Sequence, residues 1–276
     1  LGAYNSKALA MAGITAETPN PSGGVIQREA DGKTPNGVLE ENAHIGAAMK
    51  LLPKFTAADG MKFVAAAQQV YASNGYATVQ EGRADPTTLA LLEGASKAKQ
   101  LSLDVIAYPD MVMNKDNPML HGPLMSRTYA DHFRLGGVKL TFDGSPQGKT
   151  AWFTVPYYVV PEGQKPDYAG YPSFPDPKDA AGLVEKAFRN NWQLLVHTNG
   201  DAAIDALITD VRAAEKAVPG HDRRTVLVHG QYLRADQIPQ LKKLEIFPSL
   251  YPMHTYYWGD WYRESVAGPV RAEFIS

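Results

Sequence analysis

Lys139, His197 and His229 each stand at the end of a short apolar run. The runs are Gly-Gly-Val-Lys-Leu-Thr-Phe-Asp-Gly-Ser around Lys139, Gln-Leu-Leu-Val-His-Thr-Asn-Gly-Asp around His197, and Arg-Thr-Val-Leu-Val-His-Gly around His229. Neutral imidazole is the commonest side-chain metal ligand, and a catalytic metal centre combines several ligands with one position open to water. Two imidazoles one βα unit apart meet part of that demand. Lys139 is an unusual candidate because an ammonium repels cations. If burial depresses its pKa, it can combine with carbon dioxide into an anionic carbamate. The plainer alternatives are histidines satisfied inside a core and a Lys139 paired with Asp143 or Glu81; both readings stay open on residue type alone.

Other polar groups lie near the same segment ends. Asp143 and Asp201 follow the first two candidates closely. Asp-Gly-Ser and Asn-Gly-Asp are also ordinary turn and cap signals, and Asp201 is expected to cap the helix that follows. His254, in Pro-Met-His-Thr-Tyr-Tyr-Trp, either faces the same mouth and touches substrate or packs among aromatic rings. Glu81, at the end of another apolar run, joins Asp143 and His254 as a candidate substrate contact. His44, His121, His132 and His221 fall in loops or helices and read as surface or structural residues. The sequence has no Gly-x-Gly-x-x-Gly after a strand, no P-loop and no Gly-x-Ser-x-Gly, so nucleotide cofactors and serine-hydrolase chemistry lose support.

The elements that must position these residues follow a βα rhythm. From Thr56, helices are expected at 56–73, 86–100, 178–191, 201–217 and 234–244. Strands are expected at 76–80, 103–108, 138–142, 193–197, 225–229 and 246–250. Such alternation implies parallel strands with crossover helices. In a (β/α)8 barrel the C-terminal strand ends share one mouth, where chemistry is done. Six strands are too few to close one. Residues 1–55 break the rhythm with a short helix, a Pro/Gly-rich loop and a small hairpin, and are read as an accessory insertion. Residues 56–276 are the partial barrel. The stretch 152–177, rich in Tyr and Pro, reads as a long ordered loop that could serve as a lid.

Bulk composition narrows the partners. Of the 276 residues, 44% are hydrophobic and 20% charged, with a net charge of −2. No basic stripe recommends nucleic acid, and no run of about 18 apolar residues suggests a membrane span. A small-molecule substrate is the expected partner, and a homo-oligomer is compatible with the composition. Cysteine is absent, which removes disulfides and thiolate ligands and leaves cytoplasm and periplasm equally open. The chain starts Leu1-Gly2-Ala3 and ends Ala272-Glu273-Phe274-Ile275-Ser276; both ends read as cut from a longer protein.

Taken together, these motifs resemble the amidohydrolase superfamily, specifically amidohydrolase family 3, over nearly the whole chain. Asn5-Ser6-Lys7-Ala8-Leu9, Ala12-Gly13-Ile14-Thr15, Pro21-Ser22-Gly23-Gly24-Val25-Ile26 and Gly37-Val38-Leu39-Glu40-Glu41 match the part preceding the barrel body. Gly137-Val138-Lys139-Leu140 with Asp143-Gly144-Ser145 and Thr150-Ala151 matches the fourth-strand region. Val196-His197-Thr198-Asn199-Gly200-Asp201 and Val228-His229-Gly230 match the fifth and sixth. The resemblance implies a barrel of the metal-dependent hydrolase kind with one or two divalent ions, zinc foremost, where an activated water attacks an amide, imide or related carbon centre. Lys139 would be the bridging, often carbamylated ligand, and His197 and His229 would bind the second metal.

Two departures stand out. The sequence contains no His-x-His pair, expected on the first strand, and it stops where the eighth strand, with its general-base aspartate, should begin. The six strands would then be the second to the seventh. The expectation is a hydrolase of non-peptide C–N bonds whose truncated chain is inactive and holds metal weakly. The competing readings are a non-catalytic regulatory or small-molecule-binding protein on the same scaffold, and a carbohydrate-active barrel. The latter is suggested by the Tyr- and Trp-rich stretch 251–262, with Glu81 and Asp143 as its carboxylates.

Overall fold

A computed structural model describes residues 1–53 and 56–274. Its first part is antiparallel. Strand β1 (Gly2–Ala3) leads to helix α1 (Ser6–Ala12), capped by Asn5, and then to a hairpin of β2 (Gly24–Arg28) and β3 (Pro35–Glu41). The sheet order is β1-β3-β2. Helix α2 (Asn42–Leu51) follows, a segment for which the sequence predicted no element. Leu9, Ala12, Ile26, Leu39, Ala43 and Ala47 form a small core of their own here. The expected boundary between residues 55 and 56 falls beside Lys54 and Phe55, outside the described residues.

Parallel βα units fill the rest. Helix α3 (Ala57–Ser73) starts at a capping box in which Thr56 and Asp59 satisfy each other's backbone N–H groups. Strand β4 (Thr78–Ala84), helix α4 (Pro86–Lys97) and strand β5 (Asp104–Pro109) follow. Next come β6 (Phe133–Leu135) and β7 (Val138–Thr141), α5 (Pro177–Arg189), β8 (Leu194–Thr198), α6 (Asp201–Ala217), β9 (Val226–His229), α7 (Ile238–Lys243) and β10 (Phe247–Leu250). Both α4 and α5 open with an Asp cap followed by Pro at the first helical position, where no N–H is needed. Helix α8 (Met253–Trp261), one wide turn at Tyr262–Val266, helix α9 (Gly268–Arg271) and a 3-10 turn at Ala272–Phe274 complete the described chain.

The parallel strands form two ladders, β4-β5-β6 and β7-β8-β9-β10. A parallel bridge between Asp110 and Lys139 links them. Strands β6 and β7 are one chain run interrupted at Gly136-Gly137, so the run pairs with β5 through its first half and with β8 through its second. The interruption demands glycine: a Cβ on Gly137 would lie 2.1 Å from the Gln193 carbonyl oxygen. Counted this way, the six expected strands are present as one parallel arc. Among the described residues the arc does not close, since β4 and β10 each pair on one side only.

Alternation along the strands separates core from cavity. Val138, Leu140, Leu194, Val196 and Leu227 pack against α5 and α6 in the main core with Val184, Phe188, Ile204 and Leu207. Lys139, Thr141, Leu195, His197 and Val228 point the other way, into the concave side of the arc. The 152–177 stretch is a fixed loop. Phe153 and Tyr157 are buried with Tyr232, Tyr262 and Val266; the backbone bond Phe153 N–Ala169 O braces the loop on itself, and Ser173 N–Phe142 O holds it to the barrel rim. No described helix is long and apolar enough to cross a membrane.

Candidate metal centre

The concave side of the arc holds a cavity of about 510 Å³, lined by Lys139, Asp143, His197 and His229 together with Glu41, Gln80 and Arg83. The register explains the convergence. Lys139 lies opposite Leu195, Thr141 opposite His197, and His197 opposite Val228. His229 needs a further device. Leu227 is buried on the helix side and Val228 lines the cavity, so strict alternation would send His229 back towards the helices. Its φ of +78°, followed by +55° at Gly230, turns it inward instead. Left-handed backbone at a non-glycine residue costs about 1 kcal/mol or more and is concentrated at functional sites. The two imidazole centroids end 4.7 Å apart in an edge-to-face arrangement.

Electrostatics leave the two imidazoles neutral near pH 7 and weaken the hold of Lys139 on its proton. Burial, with Lys139 and His229 nearby, holds His197 well below the ordinary histidine range. Burial, Lys139 and His254 bring His229 down to about 4. Burial, reinforced by the Arg83 charge and opposed by Asp110 and Asp143, lowers Lys139 to about 7. Lys139 Nζ donates to the Leu140 carbonyl at 2.8 Å and makes no ion pair with Asp143 or Glu81 among the described residues.

Asp143 is fully buried, and burial raises it to about 7 against three backbone donors. Its oxygens accept from Asn199 N (2.9 Å), Gly200 N (2.7 Å) and Trp152 N (3.0 Å). It therefore ties the end of β7 to the β8–α6 turn and to the 152–177 loop. Asp201 departs from its expected role. The cap of α6 is Gly200, whose Cβ would meet the Trp152 carbonyl at 1.9 Å. The Asp201 carboxylate instead accepts from Thr154 N (2.9 Å) and Arg234 Nη1 (3.1 Å). The close approach of the loop thus displaces the side-chain cap.

Two further candidates sit apart. Glu81 lines a cleft between α3 and α4 with Phe63, Tyr71 and Leu92, and is not brought to the cavity. The register with β5 shifts between Glu81 and Ala84, and this irregularity rotates Arg83 inward in its place. His254 lies behind His229, with ring centroids 6.2 Å apart, and its Nδ1 is 2.5 Å from the Tyr262 hydroxyl; it packs among aromatic rings and does not line the cavity. Sequence reasoning missed Arg83 and Glu41. The local twist at Gly82-Arg83 carries no clear pattern. Glu41, at φ +43°, holds the junction of β3 and α2, and its Oε1 accepts from the Thr150 hydroxyl at 2.8 Å.

Donor chemistry decides whether these residues suit a divalent cation. His197 Nε2 lies 3.0 Å from the Gly144 carbonyl oxygen. A proton on Nε2 satisfies that carbonyl and leaves Nδ1 with a free lone pair, the usual way a ligating histidine is oriented. Asn199 Nδ2 donates to the same Gly144 carbonyl at 2.9 Å and lies 3.1 Å from Nε2. Two neutral imidazoles and an amine of lowered proton affinity fit a cation. Among the described residues, in this cavity as elsewhere, no three His, Asp or Glu side chains gather closely enough to hold a metal ion by themselves.

A model of the amidohydrolase family matches residues 2–276, and the chain belongs to that family. It is 26% identical over 262 residues to YtcJ of Bacillus subtilis (strain 168), which is named as an amidohydrolase; the match covers 91% of this chain and 45% of YtcJ. It is 27% identical over 267 residues to LONG AFTER FAR-RED 3 of Arabidopsis thaliana, covering 91% of this chain and 43% of that protein. Two solved structures, of uncharacterized metal-dependent hydrolases from Pyrococcus horikoshii OT3 and Pyrococcus furiosus, share the fold. Each has a TM-score of 0.71 at 21% identity over 98% of this chain, and 50% and 52% of their lengths are covered. The chain thus spans about half the length of the relatives it matches.

Proposed function

We propose that this chain carries the central part of a metal-dependent hydrolase acting on non-peptide C–N bonds such as those of amides, N-acyl groups or cyclic amides. The observation that carries the reading is the convergence of Lys139, His197 and His229 on one cavity beside the parallel strands. His197 and His229 would hold a divalent ion, zinc in this reading, and Lys139 would complete the set as amine or carbamate. The ion would polarise the scissile carbonyl and activate water. The chain's own contributions are orientation and exclusion. The Gly144 carbonyl fixes the His197 ring, Asp143 locks the loop over the rim, and burial keeps both imidazoles unprotonated.

With three donors among the described residues, turnover by these residues alone is expected to be slow. The short donor set also favours a second reading, a scaffold that binds a small molecule without turning it over. Zinc-loaded protein assayed against N-acyl amino acids, formamides and cyclic amides separates the two. Hydrolysis should be abolished by chelation and fall at least 100-fold in His197→Ala and His229→Ala, with little change in melting temperature. Binding without zinc-dependent hydrolysis would favour the second reading. Lowered melting with unchanged turnover per folded molecule would assign the histidines to the core.

A further inference from the structure

Arg83 is a cationic group in the cavity that the proposed chemistry does not use. Its Nε donates to Asp110 Oδ2 at 2.9 Å. Asp110 is itself buried and anchored, since its Oδ1 accepts from Val112 N at 2.9 Å and Met113 N at 3.1 Å. The guanidinium is therefore held from one side only. Nη1 and Nη2 make no hydrogen bond among the described residues, and the Arg83 side chain is 39% exposed, on the wall it shares with Lys139 and His197. Its charge reaches both groups, lowering the proton affinity of each.

We propose that Arg83 is a carboxylate anchor, and that the substrates of this site are acylated amino acids or related amides bearing a free carboxylate. A guanidinium with two parallel N–H groups free matches a carboxylate bidentately. Fixing Nε on Asp110 removes much of the rotamer freedom that an exposed arginine would lose on binding. Asp110 balances the charge of Arg83 but leaves its fork open, so the pair recruits an anion without stranding a bare cation in the unliganded cavity. The competing group is Glu41, which lines the same cavity with Oε1 held by Thr150; a site built around it would favour amines. The inference rests on the hydrolase reading for the reacting half of the substrate, and on Arg83 alone for the anchored half.

The test compares N-acetylalanine with the isosteric N-acetylalaninamide and with N-acetylputrescine by NMR titration of the purified protein. The acid should bind roughly tenfold or more tightly than the amide, the size of a charge-assisted pair. That preference should shrink to within about twofold in Arg83→Met. If the unpaired Asp110 unfolds this variant, Arg83→Met with Asp110→Asn removes both charges, and Arg83→Lys keeps the charge without the fork, retaining only part of the preference. Equal binding of acid and amide, tighter binding of the amine, no binding of any probe at millimolar concentration, or an acid preference that survives loss of Arg83 would each overturn the proposal. Turnover is read separately. Arg83-dependent binding without zinc-dependent hydrolysis upholds the anchor and removes the hydrolase reading, while hydrolysis of acid and amide at equal efficiency does the reverse.

Discussion

Asp143 joins three segments through one buried carboxylate. Replacing it with alanine strands the N–H groups of Trp152, Asn199 and Gly200, and each buried unmade bond costs about 1 kcal/mol or more. Asp143→Ala should lower unfolding free energy by about 3 kcal/mol in denaturant titration. Asp143→Asn should lose less, because its Oδ1 still accepts. A loss within about 0.5 kcal/mol for the alanine variant would mean that the loop is held elsewhere. His229 gives a pH signature of defined sign. Its folded pKa is about 4 against a reference of 6.5, so the unfolded chain binds more protons between those values. The contribution of neutral His229 is full above pH 6.5 and is lost as pH falls towards 4. Asp143, raised to about 7, acts in the opposite direction across much of that window, so the informative quantity is a difference. In metal-free protein, the stability of the wild type relative to His229→Gln should fall by up to about 3 kcal/mol from pH 7 to pH 4. A flat difference would place His229 in water.

At the scale of elements, the site depends on two departures from regular strand geometry: the register shift at Glu81–Ala84 and the left-handed turn at His229-Gly230. Glycines hold the neighbouring close approaches. Gly200→Ala drives a methyl group into the Trp152 carbonyl and should cost about 1–3 kcal/mol. The same change at Gly182, whose added Cβ would meet nothing within 4 Å, should be neutral or stabilising by a few tenths of a kcal/mol, because alanine is the better helix former. Thermal unfolding of both variants checks the contrast, and similar melting temperatures would contradict it. These irregularities also mark the limit of what the sequence shows. Apolar runs around Lys139, His197 and His229 reveal the strands, because a buried parallel strand is nearly all apolar, but Lys139 stands near the start of β7 and not at its end. Which side a residue faces is readable only while alternation holds. It holds through Glu81, which alternates away from the cavity-lining Gln80, and fails beyond it, where Arg83 turns into the cavity. Asp201 fails for another reason. A cap is a local signal, and the 152–177 loop, distant in sequence, claims the carboxylate instead. Helix α2 was missed because Gly46 and a weak apolar pattern obscure its face.

At the scale of the molecule, the arc is open among the described residues. Phe247 and Leu250 on β10 and Tyr256 and Tyr257 on α8 are exposed at one edge, and Phe63, Val70 and Tyr71 on α3 at the other. Edge strands with apolar neighbours recruit further strands. We expect concentration-dependent self-association in light scattering, weakened by Leu250→Lys. A strictly monomeric protein at about 100 µM would contradict this. The matched relatives are about twice as long, so additional chain covering these edges is an alternative source of the missing contacts.

The central claim is that His197 and His229 ligate one cation. Long-range nitrogen–proton NMR spectra resolve the imidazoles of all seven histidines and can be followed as zinc is added. His197 and His229 should shift together with a common dependence on zinc, at concentrations that leave the other five unmoved, and either alanine substitution should remove the response of the remaining partner. Independent shifts of these two rings, or equal responses from exposed histidines such as His132, would contradict it.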